Sequence, residues 1–201
     1  MDVLFEIFVT DLLHATNTQF KSNREEASDD VNVVSLRFTP SYNRKTLLCV
    51  ARTKSAGGSN TYITKIELQN VEFVEDNTTQ EKNENDVIDN EQQVANDNKE
   101  KDQEIYVEIT CSDNRKIKIK PQLNIKCNIR LNCNCLDYFQ RMASYNKTAK
   151  VLIGRKVPTH YQSPTTPSNK LKGNPNNSPG MCKHLVALYY RLMEMGIITE
   201  F

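Results

Sequence analysis

The sequence lacks any run of 18 apolar residues, so it offers no membrane-spanning helix. It also lacks a basic, apolar leader. The opening stretch, MDVLFEIFVTDLLH, places Asp2, Glu6 and Asp11 where a secretory signal needs a cation and an unbroken apolar core. The chain therefore reads as intracellular, nuclear or cytoplasmic, and not secreted. In a reducing compartment its six cysteines (Cys49, Cys111, Cys127, Cys133, Cys135 and Cys182) are expected to bind metal, react or lie buried, and not to form three disulfides. There is no phosphate-cradling glycine loop and no nucleophile–base motif, so the reading is of a protein that is not an enzyme and takes no small-molecule substrate. Hydrophobic residues make up only 38%, which points to a share of the chain that does not pack.

Net charge is also nearly missing, at +1, but the charges are unevenly placed. Residues 1–74 carry 8 basic and 9 acidic side chains, residues 75–114 carry 3 and 13, and residues 115–193 carry 15 and one, Asp137. Within the acidic section, residues 75–104 have no aromatic residue and no hydrophobic period. Such a stretch cannot bury enough surface to offset its ordering entropy, and it reads as a disordered insertion. Residues 155–180 hold five prolines, Pro158, Pro164, Pro167, Pro175 and Pro179, which forbid a continuous helix or a central strand. A basic, proline-rich insertion is accordingly placed at about 146–180.

Between these segments β-branched and aromatic residues mark strands at 31–38, 45–52, 60–68, 104–110, 115–120 and 124–131. Gly57 and Gly58 mark a turn between the second and third. In KIKIK, Ile117 and Ile119 point inward while Lys116, Lys118 and Lys120 point out, the pattern of a solvated edge strand. Helical spacing marks residues 2–15 and 182–196, the second with a stripe of Leu185, Leu188, Tyr189, Leu192 and Met193 and with Gly196 placed to end it. The fold class expected is α+β, mostly antiparallel sheet with an N-terminal helix. Residues 1–74 supply the first helix and a β-rich part, and residues 105–201 a second part.

Two cysteine pairs stand out in that second part. Cys133 and Cys135 sit in LNCNCLDYF, and Cys182 and His184 sit in GMCKHLVAL at the start of the last helix. A thiolate at a helix N-terminus is stabilised by the partial positive charge there. Three cysteines and a histidine form a closed tetrahedral donor set suited to one structural zinc ion, with Zn–S near ~2.3 Å and no position left for reactive water. The weaker alternatives are Cys127, which at strand spacing before Cys133 reads as a buried small apolar residue, and His160, which has no paired cysteine nearby. Asp137, next to the first pair, reads as a helix cap and not as a base.

The pattern C-x-C followed by C-x-H resembles the SWIM-type zinc finger. Cys182, His184 and Ala187 match the extended C-x-H-x-x-A form seen in recombination-accessory SWIM proteins, over a resemblance spanning roughly residues 124–196. The resemblance implies a C-terminal ββα zinc unit, with the first pair at a hairpin end and the second at a helix start. The 46 residues between Cys135 and Cys182 are long for the family. Their entropic cost is small, since each doubling of a loop adds only about 0.6 kcal/mol, whereas structural zinc supplies on the order of 10 kcal/mol.

Basic residues around this unit imply nucleic-acid binding, DNA first, with weak sequence preference. The candidates are Lys116, Lys118, Lys120, Arg141, Lys147, Lys150, Arg155, Lys156, Lys170 and Lys172. Tyr138, Tyr145 and Tyr161 are candidates for stacking on unpaired bases. SWIM domains are also associated with protein partners, so an interaction or scaffold role is the alternative. The 22 asparagines suit an AT-rich coding genome, that of a large DNA virus or a protist; a viral origin would imply a virion or genome-packaging role.

Overall fold

Alternation of apolar and polar residues between Val31 and Leu68 builds a three-stranded antiparallel meander in the computed structural model, which describes residues 7–19, 24–74, 105–154 and 178–200. Its strands are β1 (Val31–Ser41), β2 (Thr46–Ser55) and β3 (Thr61–Leu68). Gly57, with φ of 71°, turns β2 into β3 at a backbone conformation that side chains disfavour. The acidic stretch 75–104 and residues 155–177 of the proline-rich stretch lie outside the described residues.

The fourth strand of this sheet comes from far along the chain. β8 (Ile129–Cys133) pairs antiparallel with β3, giving the order β1-β2-β3-β8. Phe38, Cys49, Ile66 and Leu131 line up across the four strands and are all buried. Against them packs the last helix, α5 (Lys183–Glu194), which touches all four strands. Its stripe is as the spacing implied: Leu185, Leu188 and Leu192 are fully buried. Gly196, at φ 71°, follows the helix end and donates its N–H to the Met193 carbonyl at 2.8 Å.

Smaller elements close the core. Strands β4 (Phe73–Val74), β5 (Val107–Thr110) and β6 (Lys116–Ile119) form a second antiparallel sheet in the order β4-β6-β5. Here the expectation of an edge strand is corrected: KIKIK is the middle strand, because both neighbours take its ladder. Ile117 and Ile119 do point into the core. β7 (Gln122–Leu123) pairs in parallel with β9 (Ile198–Thr199). Helix α1 (Val9–Gln19) buries Val9 and Leu12 and leaves His14 exposed. Helix α2 (Glu26–Asp29) precedes β1, while α3 (Leu136–Arg141) and α4 (Ala143–Thr148) follow β8.

Several boundaries differ from those expected, beginning with the first helix, expected over 2–15 and running Val9–Gln19. Residues Asn124–Lys126 form a single tight turn, and the strand begins only at Ile129. The Cys127 carbonyl accepts from the Val9 N–H at 3.0 Å, so the start of α1 takes a bond that a longer strand would have used. Residues 146–154, expected to loop out, stay packed: Val151 and Leu152 are buried, and Leu152 bridges Leu131. Helices and mostly antiparallel strands together make an α+β fold. Among the described residues no helix is long and apolar enough to cross a membrane.

Candidate metal centre

The end of β8 and the starts of two helices meet at one point. Cys133 is the last residue of β8, opposite Thr64 on β3. Cys135 is the N-cap of α3, and Cys182 is the N-cap of α5 with extended backbone at φ −77° and ψ 164°. His184 lies in the first turn of α5. The ligand atoms of these four residues all lie within 4.8 Å of one another. All four are buried, the most exposed being His184 at 4%. The cluster can hold one metal ion.

The surroundings fit that use. Cys135 Sγ accepts from the Tyr138 N–H at 3.4 Å, and Cys133 Sγ accepts from the Cys135 N–H at the same distance. Backbone donors of this kind stabilise a thiolate at a helix N-terminus. Hydrogen bonds from Cys133 and Cys182 hold the Cys135 thiol far below its ordinary value. Sharing a proton with Cys135 pushes Cys133 up, and burial pushes Cys182 up. A cation can take the place of the protons these sulfurs share.

The histidine is aimed by a contact absent from any motif. Its Nε2 lies 3.1 Å from Ser55 Oγ at the end of β2, and the Tyr62 ring sits 4.4 Å from it, centroid to centroid. Nδ1 is buried with no hydrogen-bond partner. A buried, unpartnered nitrogen is costly, and a metal ion bound among the three sulfurs would relieve that cost. In the tautomer that donates Nε2–H to Ser55 Oγ, Nδ1 would keep its lone pair for an ion.

A second set of contacts holds the two ligand pairs together across residues 155–177. The Asn146 side chain, fully buried on α4, accepts from the Gly180 N–H and donates to the Gly180 carbonyl, both at 2.9 Å. It also lies 3.1 Å from Tyr138 Oη, which in turn donates to the Leu131 carbonyl at 3.2 Å. The Met181 N–H donates to Thr16 Oγ1 at 2.9 Å, tying the same segment to α1. Ser55, Tyr62, Asn146 and Thr16 escaped the sequence reading, because each is remote from its partner in sequence. Ser55 stands in the polar stretch RTKSAGGSN and Thr16 in HATNTQ, so neither stretch marked its residue.

Other expected residues are placed differently. Cys127 is buried in the core and outside the four-residue cluster; His160 lies outside the described residues. Asp137 does not cap α3, since Cys135 does; it pairs with Arg24 at 2.7 Å and Arg141 at 3.2 Å. Tyr138 is fully buried, which removes it as a stacking platform, and Tyr161 lies outside the described residues. Lys116 pairs with Glu108 at 2.8 Å and Lys120 with Glu72 at 3.7 Å. Lys147 and Lys150 are exposed, while Arg155, Lys156, Lys170 and Lys172 lie outside the described residues. No family model, no curated protein and no solved structure matches the chain.

Proposed function

We propose that this chain is a non-enzymatic zinc protein whose centre is structural and of SWIM type, and that it binds nucleic acid, DNA first, with little sequence preference. The observation that carries the metal half is the buried convergence of Cys133, Cys135, Cys182 and His184 within 4.8 Å. Thiolate-rich, four-donor sets select zinc over harder cations, and four protein ligands leave no place for a reactive water. The ion would join α3, α5 and the end of the main sheet, elements whose sequence segments are far apart. The resemblance of Cys182, His184 and Ala187 to C-x-H-x-x-A supports the SWIM reading. The ββα unit it implies would differ in one respect: β8 pairs with the distant β3 instead of a neighbouring hairpin strand.

The nucleic-acid half rests on charge. Residues 115–193 carry 15 basic side chains against one acid. Protein interaction is the second reading, and one observation favours it. A groove of about 800 Å³ opens between α2, β1 and α5, lined in part by Val31, Val33, Tyr190 and Met193 and in part by Glu25, Asp29, Arg191 and Glu194.

Elemental analysis of the purified chain tests the first half. One zinc per chain is expected, with little in Cys133→Ser or His184→Ala. A folded, zinc-free parent prepared without chelator would end the SWIM reading. Fluorescence anisotropy with labelled DNA, over a range of salt, tests the second half; no binding at low salt would leave the interaction reading.

A further inference from the structure

Strand alternation sorts the charges of the N-terminal part in a way that its composition hides. Residues 1–74 are slightly acidic overall. The pairing register nevertheless sends one set of β1–β3 and β8 side chains to the face opposite the one buried under α5. Arg37, Val50, Lys65 and Asn132 form one row across the four strands on this outer face. Ser35, Arg52 and Ile63 form the next row, and Asn32, Lys54 and Thr61 the one beyond it. The row on the other side holds Thr39, Leu48, Glu67 and Arg130.

Five cations thus share the face with a single acid. Glu67 is matched by Arg130 at 3.1 Å. Arg37, Arg52 and Lys54 are exposed and Lys65 is half-buried. None of these four has an ion-pair or side-chain hydrogen-bond partner among the described residues, whereas Lys116, Lys120 and Arg141 all do. Strands lie about 4.8 Å apart and same-face neighbours along a strand about 6.8 Å apart. The four unpaired cations are therefore spread over a flat area roughly 10 Å by 14 Å. Such like-charged groups repel one another unless an anion lies among them.

We propose that this outer sheet face is a phosphate-contacting surface for nucleic acid, with Arg37, Arg52, Lys54 and Lys65 as its contacts. The proposal rests on the nucleic-acid reading above and moves its centre from the C-terminal half to the first three strands. Charge complementarity argues for the occupant: the cations are numerous, unpaired and spread over a surface. The rows that carry them present no aromatic residue, so binding is to the backbone and is tolerant of sequence.

The test uses the full zinc-loaded chain and a labelled duplex of about 20 base pairs, long enough to cover the face, titrated by anisotropy between about 50 and 200 mM salt. Each phosphate deprived of its cation should reduce the steepness of log K against log salt by about 0.9. Arg52→Gln/Lys65→Gln is therefore expected to reduce it by about 1.8, and to weaken binding roughly tenfold or more at about 0.1 M salt. The fold should persist, since neither side chain gives up a partner. Lys147→Gln/Lys150→Gln carries the same change in net charge and should act less. An equal effect of both pairs would show a bulk charge effect and overturn the proposal. DNA binding that ignores Arg52→Gln/Lys65→Gln would overturn the sheet face while leaving the nucleic-acid reading intact. No DNA binding by the parent at the lowest salt would overturn both, and so would preference for vesicles of anionic lipid over DNA.

Discussion

Ser55 illustrates how much of the metal centre depends on single residues outside the ligand set. Its hydroxyl occupies Nε2 of His184 at 3.1 Å and leaves the buried Nδ1 without a hydrogen-bond partner. Ser55→Ala should weaken metal affinity about 10- to 100-fold, as removal of an outer partner generally does, and Ser55→Thr should restore much of it; competition with a chromogenic chelator measures both. Asn146 is the second such residue. Asn146→Ala leaves the Gly180 N–H and C=O without their partner in a buried site. Each buried group left unpaired costs about 1–3 kcal/mol, so a drop of about 3 kcal/mol is expected in urea unfolding, with every ligand still in place. The remaining thiols behave differently from the ligands. Burial pushes Cys127 up to about 12 and Cys49 higher still. Neither should react with a maleimide near neutral pH in the folded chain, whereas a chelator should open Cys133, Cys135 and Cys182 to it, a difference that mass spectrometry resolves by site.

At the scale of elements, the centre is a junction. β8 ends in one ligand, α3 and α5 begin on two others, and α5 carries the fourth. The meander of β1, β2 and β3 contributes no ligand and keeps its own ladders. Metal removal should therefore loosen the structure unevenly. In hydrogen exchange, amides of α3, α4 and the first turn of α5 should lose protection with chelator, while the β2 ladder should keep most of it; uniform loss would mean that the metal holds the entire core. Packing of α5 has its own cost. Leu188 is fully buried against the sheet, and Leu188→Ala should cost about 2–5 kcal/mol of stability through the cavity it leaves.

For the whole molecule, pH acts with two opposite signs. The thiols of Cys133 and Cys182 are pushed up in the metal-free fold, the first by its bond with Cys135 and the second by burial. Both hold protons near neutrality and must release them to the ion, so apparent metal affinity should rise with pH and fall on acidification. Cys127 works on folding itself. Its folded value, about 12, stands above the ordinary 9.0. A raised thiol favours the neutral form in the fold, so its contribution is complete below about pH 9 and disappears between about 9 and 12. Stability of the metal-free chain, followed by circular dichroism, should therefore decline across that alkaline window.

The sequence by itself determined the local terms. Helical spacing marked α5, β-branched alternation marked β1 to β3, and the two closely spaced pairs marked the four residues that converge. These signals are legible because periodicity and ligand spacing are properties of a few neighbouring residues. Tertiary structure decided everything that needed two distant segments at once. It placed β8 beside β3, set KIKIK in the middle of its sheet, aimed Ser55 at His184 and let Asn146 clasp Gly180. It also decided which charges remain available. Composition counts Arg37, Arg52, Lys54 and Lys65 against the acids of the same stretch, but register puts these four cations on one open face. The reason is that charges act through distance in space, and only the pairing of strands sets that distance.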